Sequence, residues 1–88
     1  MKESKFIIKS EHGIHARPAG KIVTEANKFK SNISIFKSSK MGNAKSILSI
    51  MNLVLIKGDE IIIRAEGEDE LTAVDALLKL FEGIVEAE

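Results

Sequence analysis

The chain has no cysteine, no tryptophan and no tyrosine, and a single proline in 88 residues. Without cysteine there are no disulfides and no thiolate metal sites, so core packing has to hold the fold, and the composition is compatible with a reducing cytosol. The aromatic residues are four phenylalanines, and Phe6, Phe29 and Phe81 fall at core positions of the apolar pattern. Only Phe36 remains as a candidate exposed ring, which argues against a nucleic-acid module that stacks bases on aromatic side chains. The longest apolar stretch, Ile47 to Ile56, is broken by Ser49 and Asn52. It falls well short of the ~20 residues that cross a bilayer, so no membrane insertion is expected. Met1-Lys2-Glu3-Ser4-Lys5 is followed by only three apolar residues, too few for a secretory signal, and a cytoplasmic location is expected.

Net charge is absent too, since thirteen Lys and Arg balance thirteen Asp and Glu. The balance is uneven along the chain: residues 1–44 hold nine basic against three acidic residues, and residues 45–88 hold four against ten. Two readings stand side by side, a basic face suited to acidic partners or anions, and an interleaving of the halves that cancels the field. With 44% hydrophobic and 30% charged residues the composition is that of a globular protein with a core. The length allows one domain spanning 1–88, which buries roughly 60% of the surface its unfolded chain exposes. No repeat, linker or low-complexity tract is visible.

Phe6 and Ile8 alternate with Lys5, Ile7 and Lys9, a half-buried strand that ends before Ser10-Glu11-His12-Gly13. Ala19, Ile22, Val23 and Ala26 mark one face of a helix from about Ala16 to Asn27 or Lys28, with Phe29 closing the core beneath its end. Asn32–Lys37 is a strand with Ile33 and Ile35 on one face, and Ser38-Ser39 is a hairpin tip whose lack of glycine leaves the turn type open. A short strand near Lys40–Gly42 follows. Ser46 has the character of an N-cap for a short helix ending around Leu53, although pattern alone equally allows a strand from Leu53 to Ile56. After the turn Lys57-Gly58-Asp59-Glu60 comes a strand with Ile61, Ile63 and Ala65 inward. Gly67 breaks it, and Glu68, Asp69 and Glu70 suit the start of the last helix. Leu71, Val74, Leu78, Phe81 and Val85, widened by Leu77 and Leu80, form the stripe that packs this helix on the sheet. The order βαββαβα predicts an α+β fold, a four-stranded antiparallel sheet with its helices on one face.

The stretch Gly13-Ile14-His15-Ala16-Arg17-Pro18-Ala19 places an imidazole at or beside the N-cap of the first helix. Pro18 suits a first turn, where its missing N–H has no intrahelical partner to lose. The amides of Ala16 and Arg17 are left facing outward at the positive end of the helix dipole, an anion site suited to a tetrahedral oxyanion. Arg17 adds a permanently charged donor fork. Imidazole is partly neutral near pH 7, so a ring nitrogen offers a lone pair without a separate base. The chemistry suggested is capture of a phosphoryl group on His15. The plainer reading is a histidine that merely caps its helix, with Arg17 as a solvated charge.

At these residues the chain resembles the HPr family, the histidine-containing phosphocarriers of the bacterial phosphoenolpyruvate-dependent sugar phosphotransferase system. Lys45-Ser46-Ile47-Leu48-Ser49-Ile50-Met51-Asn52-Leu53 is similar to that family's regulatory serine segment, and the resemblance covers essentially the whole chain. It implies an open-faced β-sandwich, a helix rather than a strand in the segment after Ser46, no cofactor, and a carrier rather than an enzyme. His15 is then the phosphoryl acceptor, Arg17 stabilises the phosphoryl group, and Ala16, Arg17 and Pro18 line its site. Ser46 is then a regulatory phosphorylation site. Enzyme I and enzyme IIA are the implied partners, joined in some hosts by an HPr kinase/phosphorylase and a catabolite-control transcription regulator. A monomer that binds no nucleic acid directly is expected.

Ile50 and Leu53 can face inward from the short helix, which leaves Ile47, Leu48 and Met51 as an exposed apolar patch or a shallow local core under a loop. In the family this patch docks the phosphoryl donor and acceptor. A purely regulatory module of the same fold would be expected to lack the histidine. His12 and His15 have a His-x-x-His spacing, but with only Glu11 nearby no metal site is expected. His12 is read as a modulator at most. Gly20 and Val54 depart from the family pattern, the first at a cost of up to about 1 kcal/mol of helix stability.

Overall fold

The computed structural model describes residues 1–86, with side-chain surroundings as far as Ile84. Seven elements follow one another: β1 (Lys2–Ile7), α1 (Ala16–Ala26), β2 (Asn32–Lys37), β3 (Lys40–Asn43), α2 (Ile47–Asn52), β4 (Glu60–Glu66) and α3 (Glu70–Glu86). This is the βαββαβα order and the antiparallel sheet that the sequence predicts. Across the sheet the strands lie β1-β4-β2-β3, so the last strand in sequence sits between the first and second. Phe6 faces Ile61 and Ser4 faces Ile63 in one pairing, while Ile35 faces Ile63 and Ile33 faces Ala65 in the other.

Alternation along the strands sends Ile33, Ile35, Ile61, Ile63 and Ala65 into the core, against Ile22 and Ala26 of α1, Ile50 of α2 and Leu77 and Phe81 of α3. Each buried isoleucine, leucine or phenylalanine side chain here contributes roughly 1.5–3 kcal/mol. The rings of Phe6 and Phe81 meet with centroids 5.7 Å apart. On the opposite face the Arg64 guanidinium carbon stands 4.5 Å from the centre of the Phe36 ring. Phe36 is therefore half-covered rather than a free platform. At the β2–β3 turn Ser38 adopts φ 55, which supplies the left-handed residue that a tight hairpin requires and that no glycine provides.

The interleaving reading of the charge asymmetry is the one the fold realises in part. β4, from the acidic half, pairs with β1 and β2 from the basic half, and ion pairs cross between the halves at Arg64–Glu3, Lys37–Asp59 and Lys30–Glu68. Lys57 and Glu11 form a fourth.

One expectation needs correction. Leu71 is 66% exposed, because the buried face of α3 is centred on Ala73, Val74, Leu77, Phe81 and Ile84. At about 100° per residue Leu71 points roughly 110° away from the middle of that face. The side chain of Val85 lies outside the described residues. Of the two readings the pattern left open after Ser46, the structure takes the short helix: α2 ends at Asn52 with Leu53 as C-cap, and beyond it Val54 turns the chain with φ 52. That reversal buries Leu55 and leaves Val54 and Ile56 exposed.

Candidate functional site

Three hydrogen bonds shape the loop that leads into α1. Ser10, 2% exposed, donates from Oγ to the Gly13 carbonyl at 3.1 Å, and its own carbonyl accepts from the Gly13 N–H at 3.1 Å. The Ile14 N–H donates to the Leu55 carbonyl at 2.9 Å. Gly13 holds φ 66, and a Cβ there would lie 2.5 Å from the Leu55 oxygen, so both the backbone and the space demand glycine. Ile14 is buried in the core. The next residue therefore has to emerge at the surface.

His15 is the N-cap of α1, extended at φ −100 and ψ −169, and its side chain makes no capping hydrogen bond. The imidazole is exposed. Its carbonyl accepts the Ala19 N–H at 2.9 Å. Ala16 and Arg17 precede that first intrahelical donor and Pro18 has no N–H to offer, so two amides point out of the helix end. No acidic residue occupies the first turn, which leaves the positive end of the dipole unneutralised. An exposed imidazole beside unpaired amides can carry a covalently bound tetrahedral oxyanion while the amides receive its charged oxygens.

Arg17 is exposed, and it lines a shallow groove of about 550 Å³ between α1 and α2, with Gly20, Lys21, Thr24 and Ile47 along its walls. Among the described residues neither Arg17 nor Lys21 enters an ion pair. The groove joins the cation next to His15 with the first residue of α2. On α2, Ile47 is 48% and Leu48 70% exposed. Met51 is half-buried and packs on the core, so it contributes less open surface than the other two. Ile50 and Leu53 face inward. Ser46 caps α2, its Oγ accepting the Ser49 N–H at 3.2 Å.

His12 is exposed. Its neighbour Glu11 is held by the Lys57 ammonium, and that hydrogen bond, helped by the charge itself, lowers the Glu11 pKa. Sequence reasoning missed the supports under the loop: the Leu55 carbonyl, and the Lys37–Asp59 pair that ties down the segment around it. A carbonyl has no side-chain signature. The charged pair is 22 positions apart with nothing local to join it; Gly13, two residues ahead of the N-cap, was the visible sign of a close approach.

Fold and site together define a class, the open-faced α+β sandwich that presents a histidine at the head of its first helix. Residues 2–83 match the PTS-HPr family model, the PTS HPr component phosphorylation site. The phosphocarrier protein HPr of Mycoplasma pneumoniae is 45% identical over 83 residues, 93% of this chain and 94% of that one. A crystal structure of HPr-C-His from Thermoanaerobacter tengcongensis superposes with TM-score 0.93 at 44% identity, covering 100% of this chain and 99% of the other. This chain belongs to the HPr family, the phosphocarriers of the sugar phosphotransferase system. The Bacillus subtilis catabolite repression protein Crh is similar as well, at 38% identity and TM-score 0.76 over 97% of this chain and 98% of its own. Crh is a dimer with a swapping domain. The expectation of a monomer is therefore not one that the fold by itself guarantees.

Proposed function

We propose that His15 accepts one phosphoryl group from phosphorylated enzyme I and passes it to a sugar-specific enzyme IIA. The observation that supports this reading best is the exposed imidazole that heads α1 without capping it. In the forward step a ring nitrogen lone pair, on Nδ1 by the family pattern, forms a bond to phosphorus. The bond from phosphorus to the donor breaks, and its electron pair leaves with the donor; transfer to the acceptor repeats the exchange. The amides of Ala16 and Arg17 receive the phosphoryl oxygens, Pro18 fixes the first turn, and the Arg17 guanidinium steadies charge in the loose transition state. Ile47, Leu48 and Met51 serve as the docking patch beside the groove. The protein acts as a single-domain cytoplasmic carrier, turning over nothing by itself.

Incubation with enzyme I and phosphoenolpyruvate, followed by intact mass measurement, tests the reading. The wild type gains one acid-labile phosphoryl group and His15→Ala gains none while keeping its fold. Equal labelling of the variant would overturn the assignment. Arg17→Ala slows transfer in both directions, and unchanged rates would leave the stabilisation to the amides alone.

A second reading concerns Ser46, whose hydroxyl caps α2 next to the exposed Ile47 and Leu48. A phosphate there adds roughly −1.5 to −2 charges at a helix start, which the fold tolerates but an acidic partner does not. An HPr kinase/phosphorylase would add it, and a catabolite-control transcription regulator with a basic surface would read it.

A further inference from the structure

Val54 is a β-branched residue in the left-handed region, at φ 52, where the Cβ and carbonyl crowd each other and such residues are rare. It gains little from packing to offset this, since the residue is 59% exposed. What holds it is polar. Lys37 reaches across from the end of β2 and donates from Nζ to the Val54 carbonyl at 2.7 Å. The same ammonium pairs with Asp59 at 2.8 Å, with both side chains less than a quarter exposed. Asp59 in turn accepts the Ile56 N–H at 2.9 Å. One ammonium thus fastens the segment on both sides of Leu55, and Leu55 is the residue whose carbonyl receives the Ile14 N–H. The near end of the His15 loop is tied to the same segment, because Ile8 accepts from the Gly58 N–H at 2.7 Å and donates to the Asp59 carbonyl at 2.8 Å.

We propose that Lys37 is a positioning residue for the His15 site: with Asp59 it holds Val54 in its left-handed turn and so sets the Leu55 carbonyl that anchors the loop in front of the phosphoryl acceptor. Among the described residues the ammonium of Lys37 bonds to the Val54 carbonyl and Asp59, not to His15 or the first turn of α1. Its effect passes through backbone, from the Val54 carbonyl to Leu55 and from Leu55 to Ile14. Without the ammonium, the strain at Val54 and the two freed acceptors favour a rotated 54–56 segment. The Ile14 amide then loses its partner. A misplaced acceptor atom costs rate even when binding is intact, because phosphoryl transfer depends on alignment.

The test uses Lys37→Met, which keeps the stem and removes the donor, and Lys37→Met combined with Val54→Gly, which removes the strain that the tie opposes. Hydrogen exchange of the Ile14 amide reports the anchor directly, and the rate of phosphorylation by enzyme I reports alignment. That kinetic arm rests on the transfer proposed above. Lys37→Met raises Ile14 exchange roughly tenfold or more, the loss expected for a charge-assisted hydrogen bond, and lowers kcat with KM little changed. The double variant returns both to within about twofold of wild type, since glycine adopts this φ without strain. Wild-type exchange at Ile14 in Lys37→Met overturns the proposal, as does a loss confined to KM, or a defect that Val54→Gly leaves in place. If Lys37→Met alone does not fold, recovery of the fold in the double variant supports the tie and failure to recover refutes it. A wild type that takes no phosphoryl group from enzyme I would remove the proposed function, and the exchange measurement would still decide the positioning role.

Discussion

Adding one methyl group at Gly13 and one at Gly20 produces opposite effects, and the difference measures how tightly the loop before His15 is built. At Gly13 the left-handed backbone makes a side chain unfavourable by about 1–2 kcal/mol. The new Cβ would also stand 2.5 Å from the Leu55 oxygen and 3.2 Å from the Ile56 Cα, so the segment has to move. Moving it breaks the Ile14–Leu55 hydrogen bond, worth about 0.5–1.5 kcal/mol. Alanine restricts the unfolded chain and returns about 0.4–1 kcal/mol of this. The net loss is about 2 kcal/mol, a fall of roughly 10 °C in Tm for a domain of this size. At Gly20, inside α1, an added Cβ meets nothing within 4 Å. The helix propensity of alanine then stabilises by roughly 0.5–1 kcal/mol. Thermal and urea unfolding of both variants, with enzyme I phosphorylation measured on the folded protein, gives the comparison. Gly13→Ala lowers Tm and slows transfer, and Gly20→Ala raises Tm. A Gly13→Ala protein with unchanged Tm and an intact Ile14 bond would refute the close approach.

Leu48→Glu leaves the unfolding midpoint almost unchanged and weakens transfer from enzyme I, because Leu48 is 70% exposed and a charge there costs little until a partner desolvates it. Ile50→Ala, at a position 1% exposed, instead destabilises by about 2–5 kcal/mol, and equal stability losses in the two would show that Leu48 is core. Ser46→Asp keeps the circular-dichroism spectrum while slowing His15 phosphorylation at limiting protein concentration; wild-type rates would remove the charge block from consideration. Asp69 accepts from the Ser31 hydroxyl at 2.5 Å and from the amides of Lys30 and Ser31 at 2.9 Å each, and these bonds, the Ser31 hydroxyl first, lower its pKa to about 2. Its contribution is therefore complete above its ordinary unfolded value near 4 and is lost as pH falls through about 2. Urea midpoints measured from pH 5 to pH 2 should fall more steeply for wild type than for Asp69→Asn, and parallel curves would contradict this.

What the sequence determined by itself is whatever depends on neighbours along the chain. The start of α1 was legible because proline, a cap position and an apolar face within ten residues act through local backbone geometry. The inward isoleucines of β2 and β4 were legible because a strand alternates its side chains with period two, whichever strand it pairs with. Ser46 was legible as a cap for the same local reason, and its hydrogen bond to the Ser49 amide fits that reading. Only the tertiary structure decided what depends on distant partners. The placement of β4 between β1 and β2 is a choice among pairings of similar local propensity, and that choice set which charges meet across the halves. The burial of α3 turned on how the helix sits on the sheet, which rotated Leu71 out and Ala73 and Ile84 in. Val54 lies in a stretch whose local pattern allows helix or strand alike, yet it takes a left-handed turn. There the ammonium of Lys37 and the carbonyl of Leu55 act from places that local pattern cannot connect.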